Sequence, residues 1–232
     1  MNFFLWFDWT YMVFVVPCVI ASLIAQIKVK SAFNKYSKEL NCRGITGVEA
    51  AQRVLSYNGV SNVSIQPIAG KMTDNYNPKT NVISLSEPVY NARTISAVGV
   101  AAHEAGHAVQ TAQDYLPNKI RSAIAPISNI GSKLSWVFII IGIFLPVKYD
   151  FVLYFGIILY SLAVVFTLVT LPVEFDASRR ALAAIRETNM LPDTEYIGAK
   201  KVLSAAAMTY LAAAFAAIMQ LLRLLTIASR RN

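Results

Sequence analysis

The residues best suited to chemistry stand in one run, His103-Glu104-Ala105-Gly106-His107, which holds both of the chain's histidines. Residues four apart on a helix stack on one face, so the imidazoles at 103 and 107 can grip one metal ion. Glu104 then sits beside that ion, where a carboxylate can accept a proton from water. The His-Glu-x-x-His spacing therefore predicts two ligands and a general base on one helix, within the run Val98 to Gln113. Two imidazoles with a carboxylate ligand suit Zn2+ better than other divalent ions, and the motif has room for one ion per chain.

A catalytic zinc takes three protein ligands and keeps one position for water. No third histidine exists, and a His-x-x-Gly-x-x-His continuation is excluded because Gln110 and Gln113 occupy the positions where Gly and His would stand. The third donor must be a carboxylate. Asp114 lies seven residues after His107, two turns away, a long reach for a short side chain; Asp193 and Glu195 follow Pro192 in a connection. Glu174 stands where the chain returns from a hydrophobic hairpin, on the same side as His103, and is the leading candidate. Asp176 is placed to orient an imidazole, or to pair with Arg180 four residues on. Arg179, Arg180, Tyr76 and Tyr90 are the candidates for a second donor to a developing oxyanion.

The elements that must carry these residues are largely apolar. Of 232 residues, 56% are hydrophobic, and Phe3 to Ile27, Phe151 to Leu171 and Val202 to Ala228 are each long enough to cross a bilayer. Ile124 to Leu145 is a fourth candidate, weakened by Asn129 and Lys133. The first of these lacks the basic start and small-residue cleavage site of a signal peptide and reads as an anchor, with Asp8 at head-group level. The expected fold is a mainly α membrane protein with three to four transmembrane helices and a small α+β metalloprotease-like domain. Its parts are an anchor (1–27), an α+β region with the motif helix (28–121), a transmembrane hairpin (122–172), a helix with the third ligand (173–201) and a hydrophobic helix with a basic tail (202–232).

The net charge of +8 gathers after the first span (Lys28, Lys30, Lys35, Lys38, Arg43) and after the hairpin (Arg179, Arg180, Arg186, Lys200, Lys201). It forms no patch interleaved with aromatics, so nucleic acid is not an expected partner. The positive-inside rule puts both clusters, and the motif between them, in the cytoplasm. Arg230 and Arg231 disagree, because a fourth crossing carries them outside; the alternative is a last segment that does not fully cross. Cys18 and Cys42 suggest neither a disulfide nor a metal cluster.

Within the polar region, Thr46 and Glu49 read as a capping box for a helix from Val48 to Tyr57. Val63 to Pro67 reads as a strand, Ile68 to Thr80 as a turn-rich connection, and Asn81 to Ser86 as a second strand. The second strand could be an ordinary core strand, or an edge that holds an extended peptide beside the metal. The motif helix is expected from about Asn91 to Gln113, and Pro172 is expected to start a new helix.

Three motifs together carry a family resemblance: Ala101 to Ala108, Thr73-Asp74-Asn75-Tyr76-Asn77-Pro78, and Leu171 to Ala181. They resemble the bacterial neutral zinc metallopeptidase family of YugP-type membrane proteins, over most of the chain. The layout is also similar to the HtpX and CAAX prenyl protease gluzincins, in which a membrane hairpin separates the His-Glu-x-x-His helix from a glutamate ligand that maps onto Glu174. Those relatives have Glu-x-x-x-Asp here, whereas the fifth residue in this chain is Ser178, so the role of that aspartate would pass to Asp176. The resemblance implies a membrane metalloendopeptidase whose partners are the lipid bilayer and membrane-protein or peptide substrates, in the cell membrane with its site on the cytoplasmic side. The alternatives are a zinc-binding scaffold without proteolysis and an intramembrane protease of the site-2 type. Neither substrate, cleavage preference nor oligomeric state is legible in the residues.

Overall fold

The computed structural model describes residues 9–231; Asp8 and the first part of the expected anchor lie outside them. The described chain is mainly α, with four helices long and apolar enough to cross a membrane and one three-stranded sheet. After a π-helical turn at Tyr11–Val15 come α1 (Val16–Tyr36), α2 (Gly47–Tyr57), β1 (Ser64–Ile68), β2 (Asn75–Asn77), β3 (Val82–Ser86), α3 (Glu87–Tyr90), α4 (Ile95–Ala112), α5 (Leu116–Phe144), α6 (Phe151–Glu187) and α7 (Asp193–Ser229). The chain divides into two compact units.

One unit comprises Gln26–Lys119 and Pro172–Met208. Its α2 starts as the sequence predicts. The Thr46 hydroxyl accepts from the Glu49 amide and the Glu49 carboxylate accepts from the Thr46 amide at 2.8 Å, which satisfies two donors that a helix start leaves open. The strand order is β1-β3-β2, with β3 parallel to β1 and antiparallel to β2. This decides the role of the second predicted strand: β3 is central, with Ile83 and Leu85 fully buried, and it offers no free edge. The edges belong to β1 and to β2, the latter falling inside the predicted turn-rich connection. The core gathers Val54 of α2, Ile83 and Leu85 of β3, Val98 and Val109 of α4, Ile185 of α6 and Leu203 of α7.

Helix α4 begins at Ile95, four residues later than expected, because Asn91 closes the separate short α3 and the Thr94 side chain caps the start. Pro172 does not start a helix. Helix α6 runs through it unbroken for 37 residues, since the fixed φ of proline is helical and the residue removes only one ladder donor.

The other unit comprises Met1–Ala25, Ile120–Leu171 and Thr209–Asn232, described from Trp9 to Arg231. Ile139 of α5, Leu153 and Ile157 of α6 and Leu224 of α7 form its core. Large apolar side chains such as Leu23, Ile140, Ile158 and Leu222 remain exposed, as a lipid-facing surface requires. At one end Arg231 donates to the carbonyls of Gly142 and Ile143, both at 2.8 Å, and of Leu145 at 2.6 Å, and lies 3.0 Å from the Asp150 carboxylate. The last helix therefore ends beside the α5–α6 connection, and α7 runs the whole length of this unit.

Arg231 satisfies three carbonyls that the end of α5 leaves open, and it neutralises a buried carboxylate. Replacing it with Ala is expected to destabilise this unit by about 1–3 kcal/mol, read as a lower thermal midpoint in detergent. An unchanged midpoint would show that the clasp contributes nothing.

Candidate metal centre

The site begins with a close contact between two helices. A Cβ placed on Gly106 of α4 would lie 2.6 Å from the Ala177 carbonyl oxygen of α6, so only glycine admits the neighbouring backbone. Ala101, Ala102, Ala105 and Ala108 keep the rest of that helix surface small. With α6 held this close, Glu174, one turn before Ala177, extends across to the two imidazoles of α4.

His103, His107 and Glu174 offer ligand atoms that all lie within 4.8 Å of one another. The Glu174 Oε2 atom is 3.4 Å from His103 Nε2 and 3.5 Å from His107 Nε2. These separations exceed the usual N–H···O distance of about 2.9 Å. They match the edges of a zinc tetrahedron, because donors about 2.05 Å from the ion stand about 3.3 Å apart. The two rings meet edge to face at 4.7 Å, turning both Nε2 atoms toward one point. The residues present thus fit a zinc ion.

The far sides of both rings are held. His107 Nδ1 meets the Gln110 side-chain oxygen at 3.1 Å, while the Gln110 amide nitrogen donates to the Val173 carbonyl at 2.7 Å and to Asp176 at 3.0 Å. Both of those partners can only accept, so the NH2 group must face them and the oxygen must face the ring. His107 Nδ1 therefore carries the proton, and its Nε2 keeps a lone pair for a metal. His103 Nδ1 meets the Ser178 hydroxyl at 3.1 Å. Ser178 thus occupies the place of the aspartate in the related layout and touches the ring itself. Asp176 acts one step back, through Gln110, and its charge is balanced by Arg179 and Arg180.

Glu104 is buried in the same helix, and burial pushes its carboxyl above the usual range, an effect partly offset by the charge of His103 and His107. Asp74, at the start of β2, also raises it and is itself fixed by the amide and hydroxyl of Ser86. The other sequence candidates are elsewhere. Asp114 pairs with Lys119 at the end of α4, Glu195 accepts from the Cys42 amide, and Asp193 opens α7. Among the proposed oxyanion donors, Tyr76 donates to Asn81, Arg180 is held by Asp176 and Gln113, Arg179 is tied to Asp176, and Tyr90 packs half-buried against the core. Gln110 is the contributor that sequence reasoning missed, although its position three residues after His107 puts both on one helix face.

A family model described as "Putative neutral zinc metallopeptidase" matches residues 11–229. The chain belongs to this family. A relative named "Putative membrane protease YugP", from Bacillus subtilis (strain 168), is 45% identical over 206 residues, spanning 89% of this chain and 91% of its own. No solved structure matches. For a neutral zinc metallopeptidase, the cluster of two histidines and a glutamate is the expected kind of metal site.

Replacing Glu174 with Gln should reduce zinc to a small fraction of what the wild type retains after mild chelation and dialysis, measured by mass spectrometry of the metal. Gln110→Ala and Ser178→Ala should each weaken zinc about 10–100-fold through loss of ring orientation, with helical content unchanged by circular dichroism. Full zinc retention by the Glu174 variant would move the third ligand elsewhere.

Proposed function

We propose that this chain is an integral-membrane zinc metalloendopeptidase that hydrolyses peptide bonds at the cytoplasmic membrane surface. In this reading His103, His107 and Glu174 hold one zinc ion and Glu104 is the general base. The observation that carries it is the pair of 3.4 and 3.5 Å donor separations, a tetrahedral edge, with a buried carboxylate one residue from the first ligand.

A zinc ion held there supplies Lewis-acid polarisation of the scissile carbonyl and of the attacking water. Glu104 accepts the proton of that water and then passes it to the leaving amine nitrogen. Its buried setting favours this work, because a carboxylate poorly solvated by bulk water is a stronger base. Gln110 keeps His107 in the tautomer that presents Nε2, and Ser178 holds His103 from behind.

The substrate backbone is assigned to the edge of β2. That strand is terminal in the sheet, with Asn75 and Asn77 exposed, and Asp74 at its start is near enough to act on Glu104. Main-chain pairing along an edge accepts many sequences, which suits membrane-protein or peptide substrates. The cytoplasmic side is supported by the basic residues that gather at the end of α1 and in the last turns of α6, under the positive-inside rule. A site-2-type arrangement is less well supported, since α4, which carries both histidines, is not among the four long apolar helices.

The deciding experiment compares wild type with Glu104→Gln on unfolded casein and on a membrane-protein fragment. The variant should keep its zinc and lose at least ~100-fold in hydrolysis. Equal hydrolysis by the two would remove Glu104 as the base. Zinc binding with no hydrolysis by wild type, and no change in any cellular phenotype on substitution, would favour a zinc-fastened scaffold.

A further inference from the structure

A second feature of the unit that carries the metal centre lies where α1 and α7 pack together. Gly198 of α7 admits the ring of Tyr36: a Cβ there would stand 2.7 Å from the ring edge. Beside this contact opens a groove of about 770 Å3 lined by both helices. On α1, Lys28 and Lys35 are seven residues apart and share one face, with Ser31 between them. From α7 come Lys200 and Lys201, with Ser204 one turn on.

Four lysines line this groove and no acidic residue does. Like charges gathered around one concavity repel one another, and an anion seated among them relieves the repulsion. The lining is also graded. Ile27 precedes the lysines on α1, where the helix comes out of its apolar stretch, and Met208 follows them on α7, where that helix enters its own. Both are well exposed, at 66% and 42%. With Ile197 also exposed beside the lysines, the groove joins a stretch of cations and hydroxyls to bare apolar side chains at Ile27 and Met208, on two helices long and apolar enough to cross a membrane, and so suits an amphiphile.

We propose that this groove binds one anionic phospholipid, its phosphate among Lys28, Lys35, Lys200 and Lys201 and its acyl chains against Ile27 and Met208. A free phosphate ester would use the lysines but leave the apolar end unexplained. A polybasic segment lying on any anionic surface would need no groove. The site is separate from the metal centre and stands whether or not the chain is a protease.

The test uses the full chain purified in a neutral detergent, with dioctanoyl phosphatidylglycerol, dioctanoyl phosphatidylcholine and glycerol 3-phosphate as probes, read by native mass spectrometry. Wild type should bind the phosphatidylglycerol at least tenfold more tightly than the phosphatidylcholine. Changing the four lysines together to Gln should abolish that preference, and changing them to Arg should keep it, with zinc content and thermal midpoint unchanged in both. A control in which exposed Lys30, Lys38, Lys71 and Lys79 become Gln should retain the preference. Equal binding of the two lipids, persistence of the preference without the groove lysines, an equal loss in the control, or full competition by glycerol 3-phosphate would each overturn the proposal.

Discussion

The metal centre depends on how near one helix backbone comes to another. Gly106 removes the side chain that would otherwise strike the Ala177 carbonyl, and the spacing this permits lets Glu174 and Ser178, on either side of Ala177, meet the rings of α4. A short carboxylate side chain cannot make up an extra ångström or two of helix separation, so the reach of Glu174 to the two imidazoles is set by packing and only then by its own chemistry. The small residues that allow the approach bury little apolar surface each. Cohesion of this unit therefore falls to larger side chains, Ile83 and Leu85 of β3, Val98 and Val109 of α4 and Ile185 of α6.

Close packing also brings buried carboxylates together. Glu174, Asp176 and Glu104 are all buried, and buried charge is tolerated only where it is partnered. The partners form a chain of contacts that ends on His107: Arg180 meets Asp176, Asp176 accepts from Gln110, and the Gln110 oxygen accepts a hydrogen bond from His107 Nδ1–H. The orientation of one imidazole is thus fixed by charges on the neighbouring helix. Among the described residues His103 Nδ1 meets a serine hydroxyl, Ser178, which can donate or accept and imposes no tautomer. The two imidazoles are consequently held with unequal firmness.

How much of this was legible depended on the range of the interaction. The capping box at Thr46 and Glu49, the apolar spans and the helical spacing of the histidines are local patterns, and they could be read directly. Strand β2 could not: Asn75-Tyr76-Asn77 has no apolar alternation and is a strand only because β3 lies beside it. At Pro172 a rule about one residue stood against the cooperative ladder of a 37-residue helix, which continues on both sides of it. Ser178 was read as a missing carboxylate, although its place four residues after Glu174 already put both on one face of α6. The convergence of Glu174 with the histidines followed from the hairpin's return, a topological argument needing no detail of side chains.

The basic residues show a related limit. Counted in the sequence, Arg231 weighs as much as Lys200 in any rule of membrane orientation. In the fold it is consumed: three α5 carbonyls and Asp150 surround its guanidinium, so the charge it presents to its surroundings is small. The lysines at the ends of α1 and α7 have no ion-pair partner among the described residues and keep their full field. Orientation by charge should follow the cations left unneutralised after folding. By that measure Arg231 counts for less against a four-crossing arrangement.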